Sequence, residues 1–331
     1  MELLRIIFVF LIILWHVMLR YPKIRYNVLS FFNTKEMRIW FCAELFFVIG
    51  GFFLFKRLQS HINVWDLIKK LYVRLTPALA FTFALCCIGG TVDFHRFPSI
   101  LSLSTGLSIP DEVMRWGDWY VGVYFWCSLL FIGLFYNNLR WGFVWAVILC
   151  YLALCLRFNA HYDGWMKTYY TVIGTAFIRG IHGMGIGILA AFLSDKINIV
   201  KKKSVSIFFT VLEIYFLWTI FYWLLRTPHS HLNFLEIEIL FALLLICIVH
   251  SLGYLTKYLN KIKNIQLISR YAYPVMLGHI PVLKFLEMHK NYPQNGLACG
   301  LIIGGGILIG ILEYHLVEQK IVPWVKKFFK C

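Results

Sequence analysis

Residues 3–20, LLRIIFVFLIILWHVMLR, decide how the rest of the chain is read. Arg5 and His16, with ten residues between them, interrupt an otherwise apolar run. A run of this length crosses a bilayer as a helix. An ionisable group inside such a helix is costly to bury and marks a functional position by default. At ~1.5 Å per residue, His16 lies roughly 16 Å beyond Arg5 along the helix axis. One helix therefore carries a cation toward one membrane face and an imidazole toward the other. The alternative is structural: Arg5 snorkels to the headgroups and His16 satisfies a neighbouring helix.

The composition agrees with a membrane setting. Of 331 residues, 60% are hydrophobic and 15% charged, and the mean hydropathy is +0.72. A soluble domain is nearer ~45–50% apolar and ~25% charged. The chain is read as a single integral-membrane domain, residues 1–331. The first span is read as retained, because its apolar run exceeds a signal-peptide core and no small-residue cleavage site follows. The net charge of +16 is read as Lys and Arg in cytoplasmic loops, not as a nucleic-acid surface. Eight of the nine cysteines fall in or beside apolar runs, and Cys331 is the last residue. Without CxxC pairs or zinc-type Cys/His spacing, no metal is expected, and the thiols are read as small packing residues.

Ten spans are expected, at 3–20, 39–56, 74–91, 118–136, 141–157, 169–193, 205–225, 235–255, 271–288 and 297–318, giving an all-α polytopic bundle. The longest connection, 92–117, holds Pro98 and Pro110 and reads as a surface loop. Nineteen of the 32 Lys and Arg fall on one side and twelve on the other, with Arg179 inside a span. The richer side is read as cytoplasmic, which places both termini inside. The basic connection 21–38, with Lys23, Arg25, Lys35 and Arg38, runs against this rule.

Depth then becomes an argument. Glu44 is near the outer end of the second span, at a depth similar to His16. A carboxylate beside an imidazole fixes its tautomer and stabilises its protonated form, so a His16–Glu44 pair suits a general base. A structural pair that satisfies two buried groups fits the same geometry. Arg179 and His182, three apart in RGIHGMGIG, share a helix face and are expected near mid-membrane. His279 is expected there too, between Pro274 and Pro281, which are read as breaking the backbone around it. The connection 57–74 reads as an amphipathic segment on the cytoplasmic surface, with Trp65 and Leu67 toward lipid. His250, Glu213, Glu313 and His315 are read as structural.

Several of these residues together resemble the acyltransferase-3 family of bacterial multi-pass membrane proteins. Arg5-x10-His16 matches the family's R-x10-H. Phe46 to Phe53 is similar to its FF-(small apolar)-SGF run, with Gly50 where Ser is commoner. Arg74-Leu75-Thr76-Pro77 looks like its R-I-x-P entry to the third span. Tyr271 to Tyr273, followed by His279 and Pro281, resembles YxxYLxHxP. Glu318 falls at the family's frequent terminal Glu. Two places depart from the pattern. Leu71 holds the first position of the usual R-x-x-R, and Tyr124 stands where many members carry a Glu in W-S-L-x-V-E. This looks more like members that modify polysaccharides without a fused domain.

The resemblance implies transfer of an acyl group, acetyl in the simplest case, from cytoplasmic acyl-CoA to a hydroxyl. The acceptor is a cell-surface glycan or a lipid-linked precursor, and the membrane is the bacterial inner (cytoplasmic) membrane. CoA is polyanionic, so Arg5, Lys69, Lys70 and Arg74 are its expected ligands. His16 is the expected base, Glu44 its orienter, and Arg179, His182 and His279 the candidates for oxyanion or acceptor binding. No resident cofactor is expected beyond acetyl-CoA or another acyl-CoA as donor substrate. The competing class is a transporter or flippase for glycan precursors, which uses buried charges as a substrate path. The lack of internal repeats counts against it.

Overall fold

The structure is a computed structural model. It describes all residues except 35, 61–62, 106, 108–117, 160–167, 170–172, 198–202, 227–232, 289–295 and 330–331. Pro110, Cys331 and the charges at Lys35, Lys201, Lys202 and Lys330 lie outside the described residues.

The described chain is almost wholly helical. In order it forms α1 (Glu2–Arg20), α2 (Pro22–Phe31), a 3-10 turn (Ile39–Phe41), α3 (Cys42–Gln59), α4 (Val64–Ile88), α5 (Phe97–Leu101), α6 (Asp118–Phe135) and α7 (Leu139–Asn159). Then follow α8 (Thr175–Lys196), α9 (Lys203–Arg226), α10 (Asn233–Val249), α11 (Tyr254–Leu259), α12 (Lys263–Ser269), α13 (Ala272–Met288) and α14 (Gly296–Glu313). A π-helical stretch, Tyr314–Ile321, joins α14 to α15 (Val322–Phe329). Thr168–Tyr169 and Ile173–Gly174 pair as a two-residue antiparallel ladder.

The expected spans overlap, for most of their described residues, with α1, α3, α4, α6, α7, α8, α9, α10, α13 and α14. Seven are long and apolar enough to cross a membrane: α1, α3 with its 3-10 turn, α4, α7, α8, α9 and α14 with its continuation. The expectations at 118–136, 235–255 and 271–288 fall on the shorter apolar helices α6, α10 and α13. The outward faces are apolar, as a lipid-facing surface requires. On α9, for example, Phe208, Val211, Tyr215 and Trp218 are all exposed.

Helix α1 owes its central place to an apolar circumference. Leu4, Phe8, Leu11 and Ile12 enter one buried core with residues of α3, α7, α8 and α10. Val9, Ile13 and Val17, at helical spacing, enter a second core with residues of α4, α13 and α14. α6 is shared the same way, with Trp119, Val123 and Cys127 in the first core and Val121 and Phe125 in the second. α3 and α8 pack closely. A Cβ on Gly187 would come within 2.7 Å of the Phe52 backbone nitrogen, so only glycine allows this approach.

Four local expectations are corrected. The amphipathic segment expected within 57–74 is in its described part the start of α4, which runs continuously through Pro77. Trp65 is exposed, but Leu67 is buried rather than facing lipid. α8 begins at Thr175, so Arg179 sits one turn from a helix end, not at mid-span. α13 continues through Pro281 without a break. The connection 21–38 contains α2, which was not expected.

Candidate active site

Two polar centres lie side by side where α1, α3, α6, α8 and α13 converge. In the first, His16 of α1 and His279 of α13 stack with ring centroids 5.0 Å apart and interplanar angle 18°. His16 Nδ1 is 2.7 Å from His279 Nε2, so one imidazole donates to the other. Both are buried. They line a small cavity of about 30 Å³ with Trp15, Trp40, Trp119 and Arg179. Among the described residues, Trp15 Nε1 and Arg179 Nη1 are buried polar atoms with no hydrogen-bond partner in the protein. Both residues line this cavity. Buried polar groups are normally paired, so two unpaired donors around one small chamber make it a candidate binding site.

The second centre is an ion network at the same end of the bundle. Glu44, in the first turn of α3, accepts from Arg157 Nη2 at 2.6 Å and from Arg179 Nε at 2.8 Å. Arg157 Nη1 donates to Glu238 Oε1 at 2.9 Å. His182 Nδ1 lies 2.8 Å from Glu238 Oε2 and 2.7 Å from Arg157 Nη1. Two carboxylates thus balance two guanidiniums, which is how buried charge is tolerated at all. Aromatic faces hold the guanidiniums further. Arg157 lies 4.1 Å from the centroid of Phe234, and Arg179 lies 5.0 and 5.3 Å from Trp40 and Trp119.

Arg179 joins the two centres. Its Nε belongs to the network, its guanidinium lies near the Trp40 and Trp119 rings, and Nη1 is left without a partner beside the histidine chamber. A guanidinium fixed in this way is a preorganised donor for developing negative charge.

The expected His16–Glu44 pair does not form. Both oxygens of Glu44 are taken by arginines, and the ring beside His16 is His279. The physical reason is charge. A fully buried carboxylate gains more from two guanidiniums than from one imidazole that need not be charged. Ala43, next to Glu44, does line the His16 chamber. His182 bonds within the ion network and does not line that chamber. Arg157 and Glu238 were not singled out from the sequence. Arg157 sits at the last residue of an expected span and was counted with the loop charges. Glu238 begins an apolar run, EILFALLLICIV, and is the signal that was available.

A second, much larger cavity of about 730 Å³ opens toward the start of α1. Arg5, Arg57, Lys70, Arg74 and Arg270 line it, against the carboxylates of Glu2 and Glu318. Lys69 is half-buried and does not line it. Arg5 Nη1 is 3.3 Å from Glu2 Oε2. Phe46, Tyr120 and Met276 line both cavities, so the basic cavity and the histidine chamber share a wall. Each stretch that carries the family resemblance puts a residue on one of the two: Arg5 and His16, Phe46 and Gly50, Arg74, Tyr273 and His279, and Glu318.

Two of the groups read as structural, Glu213 and His250, are held by local hydrogen bonds. Glu213 accepts from the backbone of Gly253 and Thr256 at the start of α11. His250 Nε2 lies 2.8 Å from Ser194 Oγ. Among the described residues, no group of three or more His, Cys, Asp or Glu is arranged to hold a metal.

Fold and site define a multi-pass membrane protein with a polar chamber inside its helical bundle and a charged cavity adjoining it. The chain belongs to the acyltransferase-3 family, whose sequence profile, described as an acyltransferase domain, matches residues 1–313. It is therefore a membrane acyltransferase. No curated protein and no solved structure matches it.

Proposed function

We propose that the protein moves an acyl group, acetyl in the simplest case, from cytoplasmic acyl-CoA to a hydroxyl of a cell-surface glycan or lipid-linked glycan precursor at the bacterial inner membrane. The observation that carries this reading is the shared wall. A cavity lined by five cations adjoins a small chamber that holds two imidazoles and a guanidinium. Phosphates of CoA fit the basic cavity, where Arg offers a planar fork for each phosphate. The roughly 16 Å between Arg5 and His16 along α1 is on the scale of an extended pantetheine arm. The thioester then arrives at the shared wall while the nucleotide stays in the cytoplasm.

With His16 Nδ1 as the donor to His279 Nε2, Nε2 of His16 is the basic nitrogen. It removes the proton from the acceptor hydroxyl as that oxygen attacks the thioester carbonyl. The carbonyl oxygen becomes an oxyanion, and Arg179 Nη1 is the donor available to it. Collapse breaks the C–S bond. The thiolate of CoA takes the proton from His16, and the acyl ester leaves on the acceptor. His279 replaces Glu44 as the group that orients the base. Glu44 acts one step further out, by holding Arg179 and Arg157.

The direct test is chemical. Surface glycans from cells with and without the gene are compared by mass analysis, and the purified protein is assayed for CoA release from acetyl-CoA. The expected result is loss of an acyl increment without the gene and acceptor-dependent CoA release with the protein. An unchanged glycan mass together with no CoA release would overturn the reading.

The donor end makes its own prediction. Arg5→Ala is expected to weaken acyl-CoA binding by about 10- to 150-fold, because a charge-assisted hydrogen bond contributes roughly 1.5–3 kcal/mol. Arg5→Lys should recover only part, since an ammonium lacks the bidentate fork. Raised salt should weaken binding to the native protein. A titration of purified variants with acetyl-CoA checks all three. Unchanged affinity in Arg5→Ala would reduce Arg5 to a headgroup anchor.

A further inference from the structure

Gly50, which stands where the family more often has Ser, and Tyr124, which stands where many members carry Glu, touch each other. A Cβ on Gly50 would collide with the Tyr124 ring, and Cδ2 of that ring lies 3.2 Å from the same point. Tyr124 therefore occupies space that any other residue at position 50 would claim. Its backbone carbonyl accepts from Ser128 Oγ at 2.6 Å, one turn on. Tyr124 in turn stacks on Tyr120, with centroids 6.1 Å apart and interplanar angle 11°. Tyr120 is packed from its other sides by Phe47 at 4.7 Å and Phe46 at 6.2 Å.

Tyr120 is one of the three residues shared by the basic cavity and the histidine chamber, with Phe46 and Met276. Gly50 and Tyr124 line the basic cavity alone. The sequence of contacts is thus Gly50, Tyr124, Tyr120, chamber. Beyond the shared wall, about 30 Å³ is enclosed, room for about two water-sized groups.

We propose that Tyr124, seated over Gly50 and stacked on Tyr120, is a chain-length filter that restricts the transferred acyl group to about two carbons. The filter rests on the acyl-CoA reading given above. It is a matter of room. While the Tyr124 ring fills the space over Gly50, Tyr120 cannot turn toward Gly50, and the wall admits only a small acyl group to the histidines. Without that ring, Tyr120 can swing into the vacated space and the chamber opens into the larger cavity. Tyr124 acts through Tyr120 and is a positioning residue. Its hydroxyl has no part in the filter, so phenylalanine should serve as well.

The test is the ratio of kcat/KM for hexanoyl-CoA to that for acetyl-CoA, measured on the purified full chain. Binding of the corresponding non-transferable thioether analogues is measured in parallel. A closed pocket discriminates by about 10- to 200-fold per refused methylene. The native protein and Tyr124→Phe are expected to prefer acetyl by at least about tenfold. In Tyr124→Ala the ratio should rise by about tenfold or more, with acetyl-CoA still bound through the cations. Should the alanine variant not fold, Tyr124→Val leaves only a short branched side chain in place of the ring and should also relax the ratio. A ratio in both small-side-chain variants equal to that of Tyr124→Phe would overturn the filter. So would a native protein that uses hexanoyl and acetyl equally, although acyl-CoA use would then stand. No binding of either analogue to the native protein would overturn the donor reading and the filter with it.

Discussion

Alanine at position 16 is expected to lower acyl transfer by about 10²–10⁴-fold, the usual cost of losing a general base. His16 is buried in α1, stacked on His279, and lines the chamber next to Arg179. Truncation removes the basic nitrogen and leaves His279 Nε2 without its 2.7 Å partner. That second effect costs about 1–3 kcal/mol of stability, the penalty for an orphaned buried polar group. The variant is therefore assayed for turnover and for thermal unfolding in detergent, and it should remain folded. His279→Ala should lower turnover as well. The double variant should be little worse than His16→Ala, because residues that act as a unit are non-additive. Near-native turnover in purified His16→Ala would remove the base from the mechanism. Losses that multiply in the double variant would separate the two imidazoles.

Glu44→Gln is expected to be the most destabilising of the single changes considered, by about 3–5 kcal/mol, because it leaves buried guanidinium charge uncompensated. Glu44 binds both Arg157 and Arg179, and after its loss Glu238 alone faces two arginines. Turnover should fall with stability, since Arg179 loses the partner on its Nε and no longer holds Nη1 beside the chamber. Restoring charge balance separates network from packing. Arg179→Met added to Glu44→Gln should recover part of the stability, an interaction energy of about 0.5–3 kcal/mol in a double-mutant cycle. It should recover none of the activity, because the oxyanion donor is gone. Thermal unfolding of the four proteins in detergent decides the matter. An unchanged unfolding temperature in Glu44→Gln would show that the network carries no net charge balance.

How much was legible before the fold can be argued from three places. Arg5 and His16 stood out because a charge and an imidazole in an 18-residue apolar run have few bland explanations. The partner of His16 did not. Depth along a span follows from residue count, and it brings Glu44 and His16 to a similar level. Rotation about each helix axis does not follow from count. It is rotation that turns Glu44 toward α7 and α8 and leaves His16 facing α13. Arg157 was hidden for a related reason. At the end of an apolar run a long side chain either snorkels to water or folds back inward, and only the presence of Glu44 and Glu238 on neighbouring helices selects the second course.

The sequence by itself determined that this is a multi-pass helical membrane protein. It also determined the family, through motifs spread from α1 to the stretch after α14, and it placed two polar residues, Arg5 and His16, on one helix. These are properties of composition, run length and order, which a linear chain carries without folding. The tertiary structure alone decided the pairing of His16 with His279, the closure of the Glu44–Arg157–Glu238–His182 network, and the wall of Phe46, Tyr120 and Met276 between the two cavities. Each joins residues far apart in sequence. Each also depends on which face a helix turns inward, and packing against several neighbours at once sets that choice.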